Sequence, residues 1–241
     1  KINTIVTINP NKAKKLSVSN YFNFNKYAQN NNIKKYSVKK YNLKDKKDFE
    51  FFKKEKFDLL FIGGWNRLIP NKILKTLKLG GIGFHASPNL LPSGRGRSPM
   101  NWAIIKNKKK LILHMFYLSK GADDGKIIYK EKFRIYPWDD IYSIYLKYQM
   151  LLNKLLIKFL NNIKINKKIK SYKQKGKSMY FKKRKPSDGY IDFKKMNSMK
   201  IFNQVRATSR PYPGSFFYYE GKKITIWKCI PFDDVSFYNK K

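Results

Sequence analysis

Two histidines in 241 residues narrow the search for acid–base chemistry. His85 closes the run Gly81-Ile82-Gly83-Phe84-His85, which reads as a short strand. The loop Ala86-Ser87-Pro88-Asn89-Leu90-Leu91-Pro92-Ser93-Gly94-Arg95-Gly96 follows it. Open α/β sheets bind ligands beyond the carboxyl ends of their strands. A histidine there can relay a proton. His114 lies instead inside the apolar run Leu111-Ile112-Leu113-His114-Met115-Phe116 and reads as an ordinary strand histidine, satisfied in the core or facing the surface. The segment Gly121-Ala122-Asp123-Asp124-Gly125 follows that strand and admits two readings. Asp and Gly suit a tight turn by geometry. A carboxylate there could also hold a histidine in one tautomer and stabilise its charged form. The single Cys229 excludes an intrachain disulfide and a Cys-based zinc site, and suits a reducing cytoplasm.

The elements that must position these residues lie in a very basic chain. Lys and Arg number 54 against 15 acids, a formal net charge of +39. Hydrophobic residues at 42% and aromatics at 16% separate it from a disordered polycation. Lys is spread from end to end, and Asn, Ile, Tyr and Phe, which share its A/T-rich codons, are also abundant. The charge therefore reads first as genomic composition on a solvated surface rather than a nucleic-acid stripe. So positive a field still attracts phosphate. No uninterrupted apolar run approaches the roughly 18 residues of a membrane-spanning helix. The chain opens at Lys1 in mid-pattern without a signal peptide, so a natural start upstream is expected.

Ile2 to Ile8 alternates like a strand and closes at Asn9-Pro10. Tyr21 to Gln29 suits a short helix. The run Phe57 to Ile62, ending at Gly63-Gly64, suits a strand buried on both faces of a parallel sheet. Pro70 suits the first position of a helix, with Leu74 and Leu77 facing inward. Strands are predicted at Ile82 to His85, Leu111 to Leu118 and Ile127 to Tyr129, and a helix at Pro99 to Lys106. Asp139 to Lys164 is the clearest helix. Its apolar residues Ile141, Ile144, Tyr145, Tyr148, Leu152, Leu155, Leu156 and Phe159 recur at intervals of three and four. Residues 165–189 read as a Lys-rich linker. A helix from Lys195 to Ala207 and a hairpin of Ser215 to Tyr219 with Lys223 to Lys228 follow. Alternating strands and helices imply an α/β sheet.

The string Gly83 to Ile104 resembles the signature of the folate-dependent formyltransferases. That family includes methionyl-tRNA formyltransferase, amino-sugar N-formyltransferases and glycinamide ribonucleotide formyltransferase. Its pattern is roughly N-x-H-x-S-L-L-P-x-x-R-G, then P-x-x-W-A-I, then D-x-G-x-I. His85, Ser87, Leu90, Leu91, Pro92, Arg95, Gly96, Pro99, Trp102, Ala103 and Ile104 match in order, followed by Asp123, Gly125 and Ile127. The strings Lys183 to Gly189 and Arg206 to Gly214 are similar to the start of the family's C-terminal domain. The resemblance implies an α/β fold with a Rossmann-like formyltransferase domain over residues 1–180, lacking its first strand and helix. It implies a linker and small, partly β C-terminal domain over residues 181–241, with the end of its barrel missing.

The resemblance also implies an enzyme that moves a formyl group from 10-formyltetrahydrofolate to a primary amine without a metal. His85 and Asp123 are the implied catalytic pair. Gly64, Trp65, Ser87, Leu90, Leu91, Pro92, Arg95, Gly96 and Gly121 are the implied substrate- and folate-binding residues. Two departures stand out. Gly83 occupies the position of the family's active-site Asn, whose amide helps hold the oxyanion, and Pro88-Asn89 is inserted after His85. Losing one oxyanion donor costs about 10²–10³ in rate; Asn89 and Asn101 are the candidate substitutes. Arg95-Gly96-Arg97-Ser98-Pro99 and the turn Arg210 to Gly214 look like the amino-sugar enzymes. Asn9 to Tyr21 lacks the Arg and Gly of the loop with which the tRNA enzymes reach the acceptor stem. The implied acceptor is thus the amine of a nucleotide-linked amino sugar. The alternative is initiator Met-tRNA, which the net charge suits. A third reading, a non-catalytic RNA-binding relative, rests on Gly83 and the charge; the retained His85 and Asp123 oppose it.

Overall fold

The chain forms two units that interleave along the sequence. One comprises residues 1–83 and 116–126, the other residues 84–115 and 127–241. The computed structural model describes residues 2–18, 21–165 and 168–232.

In the first unit the alternating N-terminal segment forms β1 (Thr4–Thr7). Asn9 then caps α1 (Pro10–Lys15), its side-chain oxygen accepting the Asn11 N–H at 3.0 Å. Pro10 sits where a helix leaves the N–H unpaired, so its missing donor costs nothing. Helix α2 (Asn25–Asn30) covers only the latter part of the predicted Tyr21 to Gln29. Strand β2 (Lys34–Ser37) lies parallel to β1, with Thr4 opposite Lys34. Helix α3 (Lys46–Glu55) starts at the Asp45 cap. Its buried Asp48 accepts the Tyr36 hydroxyl at 2.9 Å and the Lys39 and Lys40 N–H groups at 2.7 and 3.0 Å. Burial, then the Asp48 carboxylate, pushes the Tyr36 phenol up to about 12. Phe52, Ile73, Leu43, Val38 and Ile8 form this unit's core.

Strand β3 (Leu59–Phe61) pairs in parallel with β4 (Gly80–Ser87), Leu59 opposite Gly80 and Phe61 opposite Ile82. It is half-buried rather than enclosed on both faces, because it ends its sheet's strand order. Between them Pro70 precedes α4 (Asn71–Leu74) instead of opening it: its ψ of 137° is extended. Strand β5 (Ser93–Gly96), helix α5 (Pro99–Ile105), strand β6 (Lys110–Tyr117) and strand β7 (Ile127–Arg134) follow. The four-stranded sheet has the order β3-β4-β6-β7. Strand β7 runs five residues past its predicted end at Tyr129, alternating buried and exposed positions only in part.

In the second unit, helix α6 (Ile141–Lys164) begins two residues later than predicted, because Asp140 caps it. The Asp140 carboxylate accepts the Ser143 N–H at 2.8 Å, and the Ser143 hydroxyl oxygen accepts the Asp140 N–H at 3.1 Å. The predicted linker contains β8 (Met179–Phe181), which pairs in parallel with β5. Helix α7 (Ser198–Thr208) and the hairpin β9 (Ser215–Tyr219) with β10 (Lys222–Ile226) follow. Ala103, Ile104, Leu111, Ile135, Ile141, Ile144 and Ala207 make a core that seats α7. Buried Arg206 fastens it further, donating to the Tyr136 and Asp139 carbonyls at 3.1 and 2.8 Å. No helix among the described residues is long and apolar enough to cross a membrane.

Candidate active site

Two glycines of strand β4, Gly81 and Gly83, lie close under the side chains of Leu118 and its neighbours. A β-carbon on Gly83 would lie 2.8 Å from Leu118 Cδ2 and 3.0 Å from the Phe116 ring. Two residues on, His85 is buried, with 8% of its surface exposed. Its Nε2 lies 2.7 Å from the Gly94 carbonyl oxygen. A carbonyl only accepts, so Nε2 bears the hydrogen of this bond.

The loop that returns Gly94 to His85 is tightly made. Ser87 is wholly buried, and its hydroxyl oxygen accepts the Asn89 N–H at 3.3 Å. Leu91 and Pro92 are buried, whereas Leu90 is 48% exposed. Gly94 has φ +141°. Arg95 donates to Gln174 Oε1 through Nη2 at 2.6 Å and Nε at 3.2 Å, and to Ser178 Oγ and the Tyr180 hydroxyl at 3.3 and 3.2 Å. Gly96 has φ +100°, and a β-carbon there would lie 2.4 Å from the Phe181 carbonyl oxygen. Arg95 and Gly96 therefore fasten the loop to β8 and the segment before it. A cleft of about 450 Å³ opens beside the loop, lined by Asn89, Ser93, Lys110, Lys132, Lys175 and Lys177 among others.

His114 is fully buried on β6, as one of the two readings for a strand histidine required. Its Nδ1 donates to the His85 backbone carbonyl at 3.3 Å, and its Nε2 accepts the Leu91 N–H at 3.4 Å. Burial is the main influence on its pKa, pushed down to about 4. His114 and Gly94 are the site residues that pattern alone does not mark. Their partners are backbone groups brought close by the loop's return, and only the glycine-rich spelling Ser93-Gly94-Arg95-Gly96 hints at them.

Of the two candidate amide donors, Asn101 is 1% exposed and its Nδ2 donates to the Ala207 carbonyl at 2.7 Å. It is a tie to α7. Asn89 is half-buried, its Nδ2 a long 3.5 Å from Ser93 Oγ.

The remaining predicted residues belong to the first unit. Gly64, with φ +74°, turns the chain after β3. Trp65 packs edge-on against Tyr41 with ring centroids 4.7 Å apart, and its buried Nε1–H has no hydrogen-bond partner among the described residues. The turn after β6 is closed by the Tyr117 N–H donating to the Lys126 carbonyl at 3.0 Å. A β-carbon on Gly125 would lie 1.6 Å from the Tyr117 oxygen, so this position demands glycine. The Ser119 hydroxyl donates to Asp124, and Gly121 lies against the Asp124 carboxylate. Asp123 is half-buried with φ +52°.

Comparison with known proteins returns a consistent relationship. The family model described as formyl transferase matches residues 2–160, and that described as formyl transferase, C-terminal domain, matches residues 183–236. The bifunctional polymyxin resistance protein ArnA of Wigglesworthia glossinidia brevipalpis is 36% identical over 191 residues, 78% of this chain. The match spans 28% of that relative's length. Methionyl-tRNA formyltransferase from Clostridium thermocellum superposes with a TM-score of 0.69 at 21% identity, over 98% of this chain and 95% of that one. A sugar N-formyltransferase from a Shewanella species gives 0.65 at 19% identity, over 92% and 95%.

Proposed function

Because the chain belongs to the formyl transferase family, we propose that it is a cytoplasmic enzyme transferring a formyl group from 10-formyltetrahydrofolate to the primary amine of a nucleotide-linked amino sugar. One observation carries this reading: His85, at the end of β4, is buried and has its ring fixed by the Nε2–H bond to the Gly94 carbonyl. An amine attacking a formyl carbon must lose a proton, and a positioned imidazole takes it with a contribution of about 10²–10⁴ in rate. Asp123 is assigned the task of stabilising the imidazolium so formed.

The folate supplies the formyl group at the oxidation level that the transfer requires. Trp65 fits such a heterocycle: its buried Nε1–H lacks a partner among the described residues and suits a ring acceptor. Gly64, Trp65, Leu90, Leu91, Pro92 and Gly121 are assigned to hold it. Ser87, Arg95 and Gly96 keep the His85 loop in shape. With Gly83 at the position of the family's Asn, the Asn89 side-chain amide is assigned as the donor to the developing oxyanion.

The Arg95 to Pro99 spelling supports a sugar acceptor. Lys110, Lys132, Lys175 and Lys177 around the cleft beside Asn89 suit an acceptor that carries phosphate. The net charge of +39 favours a second reading, Met-tRNA. Single-turnover transfer from labelled 10-formyltetrahydrofolate separates the two. The expected product is a formylated amino-sugar nucleotide, with Met-tRNA left unformylated. The reverse outcome establishes the tRNA reading, and no transfer to either overturns both.

A further inference from the structure

We propose that His114 is a positioning residue for His85, holding the His85 carbonyl and the Leu91 N–H at once and thereby fixing where the Gly94 carbonyl meets the His85 ring. The inference rests on the reading of His85 as the base.

The hydrogen-bond roles leave little freedom. The His85 carbonyl only accepts, so His114 Nδ1 carries the hydrogen. The Leu91 amide only donates, so Nε2 carries the lone pair. One neutral tautomer satisfies both. A protonated ring would lose the contact to Leu91 and place a charge in a fully buried position.

The contacts close a circuit. From His114 one path leads to the His85 backbone, and the other to Leu91. Beyond Leu91 the chain is stiffened by the Ser93 N–H donating to the Leu90 carbonyl at 2.9 Å and the Gly94 N–H donating to the Pro92 carbonyl at 3.1 Å. It then delivers the Gly94 oxygen to His85 Nε2 at 2.7 Å. His114 thus sets the separation between the strand end that bears the base and the loop that fixes the base's tautomer. It is buried from substrate and takes no proton in the reaction. Its two bonds, at 3.3 and 3.4 Å, are long, so their effect is one of placement rather than of energy.

The chain's two histidines make the test clean. In tag-free His114→Leu, imidazole ¹⁵N signals report His85 alone. The parent is expected to show His85 in the Nε2–H tautomer. His114→Leu is expected to show a tautomer mixture, with kcat lowered about 10²-fold, the scale of a 1 Å misplacement, and KM for both substrates unchanged. His114→Asn restores a donor near Nδ1, and His114→Gln an acceptor near Nε2. Each is expected to recover part of kcat and of the tautomer ratio. Should His114→Leu not fold, the Asn and Gln variants carry the same two readouts. A folded variant with parental kcat and an unchanged His85 tautomer overturns the proposal. His85→Ala separates the two layers: retained transfer overturns the assignment of His85 as base, whereas an inactive His85→Ala beside a fully active His114→Leu overturns only the positioning role.

Discussion

Gly94 lies so close to Ser87 that a β-carbon on it would meet the Ser87 Oγ at 1.8 Å. Its φ of +141° is also one that L-residues rarely adopt. The same residue's carbonyl holds His85 Nε2, so steric pressure at Gly94 is pressure on the base. Gly94→Ala is expected to lower formyl transfer about 10²-fold. The double variant Ser87→Gly with Gly94→Ala, which removes the clashing hydroxymethyl, is expected to regain part of that loss. Single-turnover rates of the parent and three variants decide it; a fully active Gly94→Ala shows that the loop does not fix the ring.

Gly83→Asn recreates the family's residue in a space already filled. Leu118 and Phe116 must give way by several tenths of an ångström, so the variant is expected to lose about 1–3 kcal/mol of stability, as overpacked cores do. It is also expected to gain no activity. Urea unfolding and turnover are the measurements. A faster enzyme of parental stability would mean that the strand has room for the amide after all.

His85→Ala and Asp123→Ala are each expected to lower transfer by about 10²–10⁴. If they act as a unit, the double variant falls little below the worse single one. Losses that multiply would show two independent contributions. Tetrahydrofolate binding by calorimetry is expected to survive in all three, since the walls assigned to it are Trp65, Leu90, Leu91 and Pro92.

His114 also makes stability depend on pH. Burial lowers its pKa from 6.5 to about 4; the bond to the His85 carbonyl opposes the shift, and the charges of His85 and Lys130 add to it. The unfolded chain binds a proton below pH 6.5 that the folded chain refuses until about pH 4. Stability from this residue is therefore complete above pH 6.5 and is lost as pH falls towards 4, at up to about 1.4 kcal/mol per unit. Urea midpoints of the parent are expected to drop across that window, and those of His114→Asn to drop less. Parallel slopes would show that other groups govern the acid limb.

Much of this architecture is written in pattern. The glycine-spaced run to His85, the three-and-four spacing from Ile141 to Phe159 and the hairpin at Glu220-Gly221 each form where local preference and burial agree. The elements that pattern misses draw their stability from distant partners. Helix α3 is rich in Lys, and it buries a carboxylate, Asp48, because three donors from the Tyr36 to Lys40 stretch converge on it. Strand β8 hides in a polar stretch and exists because β5 offers its edge. At the site, His85 stands out by position in sequence. The roles of Gly94 and His114 depend on backbone groups nine and 23 residues away from their partners, which no window along the chain displays.

The interleaving of the two units has a consequence for synthesis. Residues 1–83 cannot complete their own set of contacts until Phe116–Lys126 has been made. Between those segments the ribosome must deliver residues 84–115, which belong to the other unit and whose remaining partners begin only at Ile127. Neither unit can therefore fold to completion as an N-terminal piece during elongation, the order by which many domains escape aggregation. The chain must hold β4 and the His85 loop half-assembled until β6 and β7 arrive.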